Sequence, residues 1–193
     1  GRVREQERAA RRSFARRKLR APHAVTQARG RWGIADTDNH RVVVGTGDLF
    51  GSIGSVRMIE GFHSPCGLAF FQNCLVVADT FGNKIVIVDP ASGETLQTVQ
   101  MDCPLQVASE GEHFLVTSPY QIAVGRVDQS STGARHVVLA KAVECGDQHA
   151  IRNPWGISIN RNGNALVADR GRNLLWACTV ADLDSLSTGG GRR

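Results

Sequence analysis

An all-β fold made of serially repeated units is predicted by three observations. Short apolar runs alternate with polar, glycine-bearing turns along the chain, and most of its six prolines and 21 glycines fall between those runs. Pro22, Pro65, Pro104 and Pro154 open successive units, 43, 39 and 50 residues apart. Asp36, Asp79 and Ser118 each stand 14 positions after their proline, and Asp169 stands 15 after its own. A period near 40 built from strand-like runs marks the blades of a propeller. With 193 residues and 41% hydrophobic content, the chain can bury one compact domain or a piece of a larger one.

The first stretch does not share this pattern. Residues 1 to 31 hold ten arginines and Lys18 against Glu5 and Glu7, a net charge of +9, whereas residues 32 to 193 carry 12 bases against 16 acids, a net of −4. Val3 to Leu19 lacks proline and glycine and is rich in arginine, alanine, glutamate and glutamine, so a helix ending before Pro22 is expected. Its charge lies nearly all round, so it has little to bury against its own domain. Residues 1–21 are therefore read as a basic arm. Arg8, Arg11, Arg12, Arg16, Arg17, Lys18 and Arg20 are its candidate contacts to phosphate or to an acidic protein surface. A remnant of an organelle-targeting segment and a plain solvated tail are the other readings, the former weakened by Glu5 and Glu7.

Residues 22–184 form the repeat region, with units near 22–63, 64–102, 103–152 and 153–184. In each, proline opens an inner strand, where its fixed φ and missing donor are tolerated. The inner strands are Ala24-Val25, Gly67 to Phe70, Leu105 to Ala108 and Gly156 to Ile159. A polar turn follows, clearest at Asn160 to Asn164. Second strands run Trp32 to Ala35, Leu75 to Ala78, His113 to Val116 and Ala165 to Ala168. Asp36, Asp79 and Asp169 close them and are assigned a structural part, accepting hydrogen bonds from the turn that follows. His40, Asn83 or Asn173 comes four residues later, before a third strand at Val42 to Val44, Ile85 to Val88 or Leu174 to Ala177. Residues 185–193, with three consecutive glycines, are read as a flexible tail.

Ala35-Asp36-Thr37-Asp38-Asn39-His40-Arg41-Val42, Ala78-Asp79-Thr80-Phe81-Gly82-Asn83-Lys84-Ile85 and Val167-Ala168-Asp169-Arg170-Gly171-Arg172-Asn173-Leu174, each behind a proline-led strand, resemble NHL repeats. The unit from Cys103 to about Arg152 is degenerate, with Ser118 in place of the acid and Gln106 where the family usually has glycine. The resemblance covers about residues 22 to 180. It implies a β-propeller of four-stranded antiparallel blades around a central channel. Four units make either a small ring or part of a larger propeller completed by other residues or another chain, and the second is preferred here.

Candidate chemistry is sparse. The residues after the opening prolines, His23, Cys66, Leu105 and Trp155, are expected at the channel rim. His23 and Cys66 are zinc-type ligands, and His63 and His149 would have to join them to complete a site. Propeller-type amidating lyases, which look like NHL propellers, carry a channel metal, so a metal-dependent lyase or hydrolase is one alternative. The long connection from Lys141 to Arg152 places Cys145 near His149 in sequence, a conceivable nucleophile and base. Arg41, Lys84, Arg170 and Arg172 recur near the second turn and suit pairing with the nearby aspartates. A positive face for single-stranded RNA is the other reading of these cations, as in some developmental regulators of the family. Trp32, Trp155, Trp176 and Tyr120 are expected to be partly buried, which leaves few aromatics for base stacking.

No catalytic residue, metal or cofactor is assigned. The expected role is a non-enzymatic scaffold for protein partners within a larger assembly, with the arm as anchor; RNA or another acidic surface is the alternative partner of the arm. Five cysteines without a Cys-x-x-Cys pair argue against a disulfide framework, and no secretory signal is visible, so an intracellular setting, cytoplasm or organelle matrix, is expected. No apolar run reaches the 18 residues of a membrane span.

Overall fold

The computed structural model describes residues 18–47, 53–129 and 135–187. Among the described residues, fifteen strands lie in four antiparallel sheets, each a meander in chain order. The first holds β1 (Pro22–Ala28), β2 (Arg31–Asp36), β3 (Arg41–Gly47) and β4 (Ile53–Ile59). The second holds β5 (Pro65–Phe71), β6 (Cys74–Asp79), β7 (Lys84–Val88) and β8 (Thr95–Gln100). The third holds β9 (Gln106–Glu110), β10 (His113–Thr117), β11 (Gln121–Gln129) and β12 (Arg135–Glu144). The fourth has three strands, β13 (Pro154–Ile159), β14 (Asn164–Asp169) and β15 (Leu174–Thr179), followed by the helix α1 (Val180–Ser187).

The sheets stack as blades. Inner strands β1, β5, β9 and β13 pack side by side in that order, and among the described residues no comparable contact joins β13 back to β1. The core lies between the blades. Ala35, Val42 and Val44 of the first meet Leu68, Leu75 and Val77 of the second. The other side of the second blade, Val76, Ala78, Ile85 and Ile87, meets Val107, Phe114 and Val116 of the third. β6 is therefore buried on both faces, which is why Leu75 to Ala78 reads as an unbroken apolar run rather than an alternation. Fully burying each such side chain contributes about 1.5–3 kcal/mol. Phe71 and Phe114 pack edge to face at 5.0 Å across this junction. Gly67 permits the close approach of β9, for a Cβ there would sit 2.4 Å from the Leu105 carbonyl oxygen.

The fourth blade ends differently from the sequence expectation. Ser185 to Ser187 belong to α1 rather than to a tail. Thr179 Oγ1 accepts from the Asp182 amide at 3.0 Å while the Asp182 carboxylate accepts from the Thr179 amide at 3.3 Å, a reciprocal cap that starts the helix. Val180 and Leu183 then bury against Leu115, Ile122 and Val124 of the third blade. At the other end, most of the expected arm helix lies outside the described residues, and Lys18 to Arg20 are not helical. Leu19 packs on Trp32, Ile34 and Val43.

Candidate functional site

The three acids sit at one end of their blades, where each opening proline pairs with the end of the second strand: Pro22 with Asp36, Pro65 with Asp79, Pro154 with Asp169. All three are buried. Asp36 accepts from the Arg20 amide at 2.7 Å, from Asn39 Nδ2 at 2.8 Å and from Arg41 Nε at 2.7 Å. Asp79 accepts from the His63 amide at 2.5 Å and lies 3.6 Å from Lys84 Nζ. Asp169 accepts from the amides of Arg152, Asn153 and Gly171 at 2.9, 3.0 and 3.0 Å.

The main backbone partners of these acids thus precede the inner strand, whereas the sequence reading placed them in the turn that follows. The reason is local. His40, Asn83 and Asn173 take left-handed φ of 53°, 52° and 56°. That geometry lets the His40 and Asn83 amides donate to the Thr37 and Thr80 carbonyls, so those turns close themselves. The amides before the prolines are the ones left needing an acceptor. Burial alone would push the Asp36 carboxyl up, but the Arg20 amide, Asn39 and Arg41 outweigh it and hold it below the usual carboxylate range. Asp169 is lowered in the same way, burial being outweighed by four backbone amides.

A second set of polar contacts joins blade to blade, and the sequence reading missed it. Thr37 Oγ1 donates to the Pro65 carbonyl at 2.7 Å, Thr80 Oγ1 to the Pro104 carbonyl at 2.8 Å, and Thr117 Oγ1 to the Trp155 carbonyl at 2.7 Å. A threonine directly after the acid was the available signal in the first two units. In the fourth unit that position is Arg170, whose guanidinium instead lies 5.3 Å from the Trp155 ring.

The same end of the blades carries exposed aromatic surface. Phe81 and Tyr120, in the second turns of the second and third blades, are 68% and 61% exposed. Tyr120 is thus a surface residue rather than a partly buried one, and Trp32 is fully buried. Of the cations nearby, Arg41 and Lys84 pair with the aspartates, while Arg172 donates to the His149 and Asp147 carbonyls at 2.6 and 3.3 Å and braces that loop.

The rim residues do not assemble into a ligand set. His23 is exposed beside Leu19, Pro22 and Val25, Cys66 and Leu105 are buried, and Trp155 is half-buried under Arg170. Among the described residues no group of three or more His, Cys, Asp or Glu side chains is placed to hold a metal ion. Residues 141–144 of the long connection are strand, the end of β12. Cys145 packs against the third and fourth blades. Burial first, then the charge of Asp169, pushes its thiol up to about 12, so it is protonated at neutral pH. His149 pairs with Glu144 at 3.8 Å. All five cysteines are free, and burial raises each thiol. At the opposite end of the inner strands a cavity of about 650 Å³ is bounded by Arg29, Gln72, Asn73, Ser109 and Glu110.

Arg8, Arg11, Arg12, Arg16 and Arg17 lie outside the described residues. The base of the arm is held: the Lys18 carbonyl accepts from Asn39 Nδ2 at 3.1 Å, and Arg20 lies 3.8 Å from Asp38. No helix among the described residues is long and apolar enough to cross a membrane.

Serial antiparallel meanders, three of four strands and one of three, with adjacent inner strands define a β-propeller chain. The NHL-repeat family model matches residues 152–178, the fourth blade's first two strands and most of its third. No curated protein matches the chain by sequence. Solved structures agree on the fold. A protein from Lactobacillus plantarum superposes with a TM-score of 0.63 at 16% identity, over 82% of this chain and 53% of that one. The nidogen/laminin complex gives 0.61 at 14% identity, over 87% and 63%. Virginiamycin B lyase from Staphylococcus aureus gives 0.56 at 13% identity, over 78% and 49%. The chain spans about half to five-eighths of the length of the solved chains it matches.

Proposed function

We propose that the chain is a non-enzymatic NHL-type interaction scaffold, docking partner proteins on the blade end that carries the second turns, with the arginine-rich arm as its anchor in a larger assembly. The observation that carries this reading is the exposure of Phe81 and Tyr120 on adjacent blades, with Arg170 stacked on Trp155 at the next. Aromatic and arginine side chains supply most binding energy at protein interfaces, and here they stand on a rigid, interlocked frame. The buried acids beneath them each accept from a backbone amide, and Asp36 and Asp79 are also paired with Arg41 and Lys84, which suits a frame rather than proton transfer. The nidogen/laminin likeness supports the reading at the level of fold alone.

The test immobilises the chain, its Phe81→Ser/Tyr120→Ser variant and a chain lacking residues 1–17, and compares the proteins each retains at physiological salt. Loss of the same partner from the double variant is expected, with weaker retention by the shortened chain. Equal retention by all three would overturn both the docking face and the anchor.

A second reading, single-stranded RNA binding, draws on the same exposed aromatics and on Arg170 of the next blade. A titration whose affinity falls steeply with salt would support it, and a flat salt response would remove it.

A further inference from the structure

We propose that the outward face of the fourth blade is a self-association surface whose occupant is the same face of a second copy of this chain. The face is made of Ser158 on β13, Leu166 and Ala168 on β14, and Leu175 and Ala177 on β15, with Leu166 51% and Leu175 74% exposed. The strand register sets Ser158, Leu166 and Ala177 in one row, and Ala168 and Leu175 in the next, where a Cβ on Gly156 would face Ala168 at 3.7 Å.

Large and small residues therefore alternate in both directions, Leu166 beside Ala177 and Ala168 beside Leu175. A two-fold axis lying in the plane of the face and crossing the strands exchanges the two rows. Each leucine of one copy then stands over an alanine of the other, so the surface complements itself. A hollow of about 610 Å³ bounded by Ser158, Asn160, Leu166, Ala177 and Thr179 adds depth on the small-residue side. This axis brings the Arg170 end of one sheet to the end of the other that carries both Asp182 and Arg161. An axis along the strands would instead set Arg170 against Arg170.

The face departs from those that receive a neighbouring blade, which favours a second copy over one more blade of the same kind. Its counterpart on the second blade uses Ala69, Phe71, Val76, Ala78, Ile85 and Ile87, all buried against the third blade. Ser158, Asn160 and Ala177 replace Ala69, Phe71 and Ile87 in register, so the aromatic filler and one of the large aliphatics are gone. Arg170 replaces Thr80, the donor that fixes the next inner strand.

Sedimentation equilibrium of the chain across a concentration series tests this. A closed dimer is expected, with Leu175→Glu weakening association at least about 30-fold and Ala168→Leu weakening it by occupying the space that Leu166 of the other copy needs. Leu175 is exposed and Ala168 half-buried in the single chain, both on the outward face, and circular dichroism serves to check that each variant keeps its sheet. A wild-type chain still monomeric at about 0.1 mM would overturn the proposal. So would open-ended oligomers, or a dimer that Leu175→Glu leaves intact. Leu175→Glu is expected to retain partners through Phe81 and Tyr120 as the wild type does, so the two surfaces succeed or fail separately.

Discussion

The second and fourth blades are built from the same repeat, yet one is interior and the other is an end. In the second, both faces of β6 are covered, Thr80 grips the Pro104 carbonyl, and Gly67 admits the β9 backbone at contact distance. In the fourth, only the face toward the third blade is covered among the described residues, Arg170 stands in place of the threonine, and Gly156 meets nothing among them nearer than Ala168. The repeat motif fixes the fold of a blade, while the identity of its outward residues fixes what the blade can receive.

Paired substitutions test that difference. The largest gap is expected between Ile85→Ala and Leu175→Ala. Urea unfolding of dilute chain should show a loss of about 2–5 kcal/mol for the first, a buried cavity, and under about 0.5 kcal/mol for the second, a surface truncation. Gly67→Ala should cost about 1–3 kcal/mol by forcing β9 away, with Gly156→Ala near neutral; equal costs would mean that both glycines answer to the turn and not to a neighbour. Thr80→Val leaves a buried carbonyl unpaired and should cost about 1–3 kcal/mol. Arg170→Ala gives up only a partly exposed cation–ring contact of about 0.5–1 kcal/mol.

The smallest effect concerns pH. Asp36 and Asp169 are held below the ordinary carboxylate value, so the folded chain keeps them charged where the unfolded chain takes up protons. Their contribution is fully present above the unfolded value of about 4 and is lost as pH falls through the folded values. Asp36→Asn and Asp169→Asn should flatten the acid limb of a stability–pH profile. An unchanged limb would show that these carboxyls are not what acid attacks.

The proline and acid spacing made the blades legible because a fixed φ at Pro65 and a buried acceptor at Asp79 are needed at set points of every unit. The degenerate third unit was also traceable, since Ser118 accepts from the Tyr120 amide at 3.2 Å where an acid would otherwise serve. Less could be read where function depends on which side of a strand faces a neighbour. Leu166 and Val76 have the same local setting, and only the stacking order leaves one exposed and the other buried. The exposure of Tyr120 and the interblade threonines are likewise consequences of docking between units far apart in sequence. The helix α1 did have a signal, the Thr179-x-x-Asp182 cap, but its small apolar content gave no stripe to match.

Because, among the described residues, each inner strand packs on the inner strands before and after it and β13 makes no comparable contact with β1, these four blades form a linear series rather than a closed circuit. In such a series, stability is a sum of nearest-neighbour terms and opening proceeds inward from the ends. The amides of β6, supported from both sides, become the slowest to exchange with solvent deuterium, and those of β15 are released first. A contact that covers the fourth blade then does more than join two molecules: it closes one of the two ends from which the array unravels.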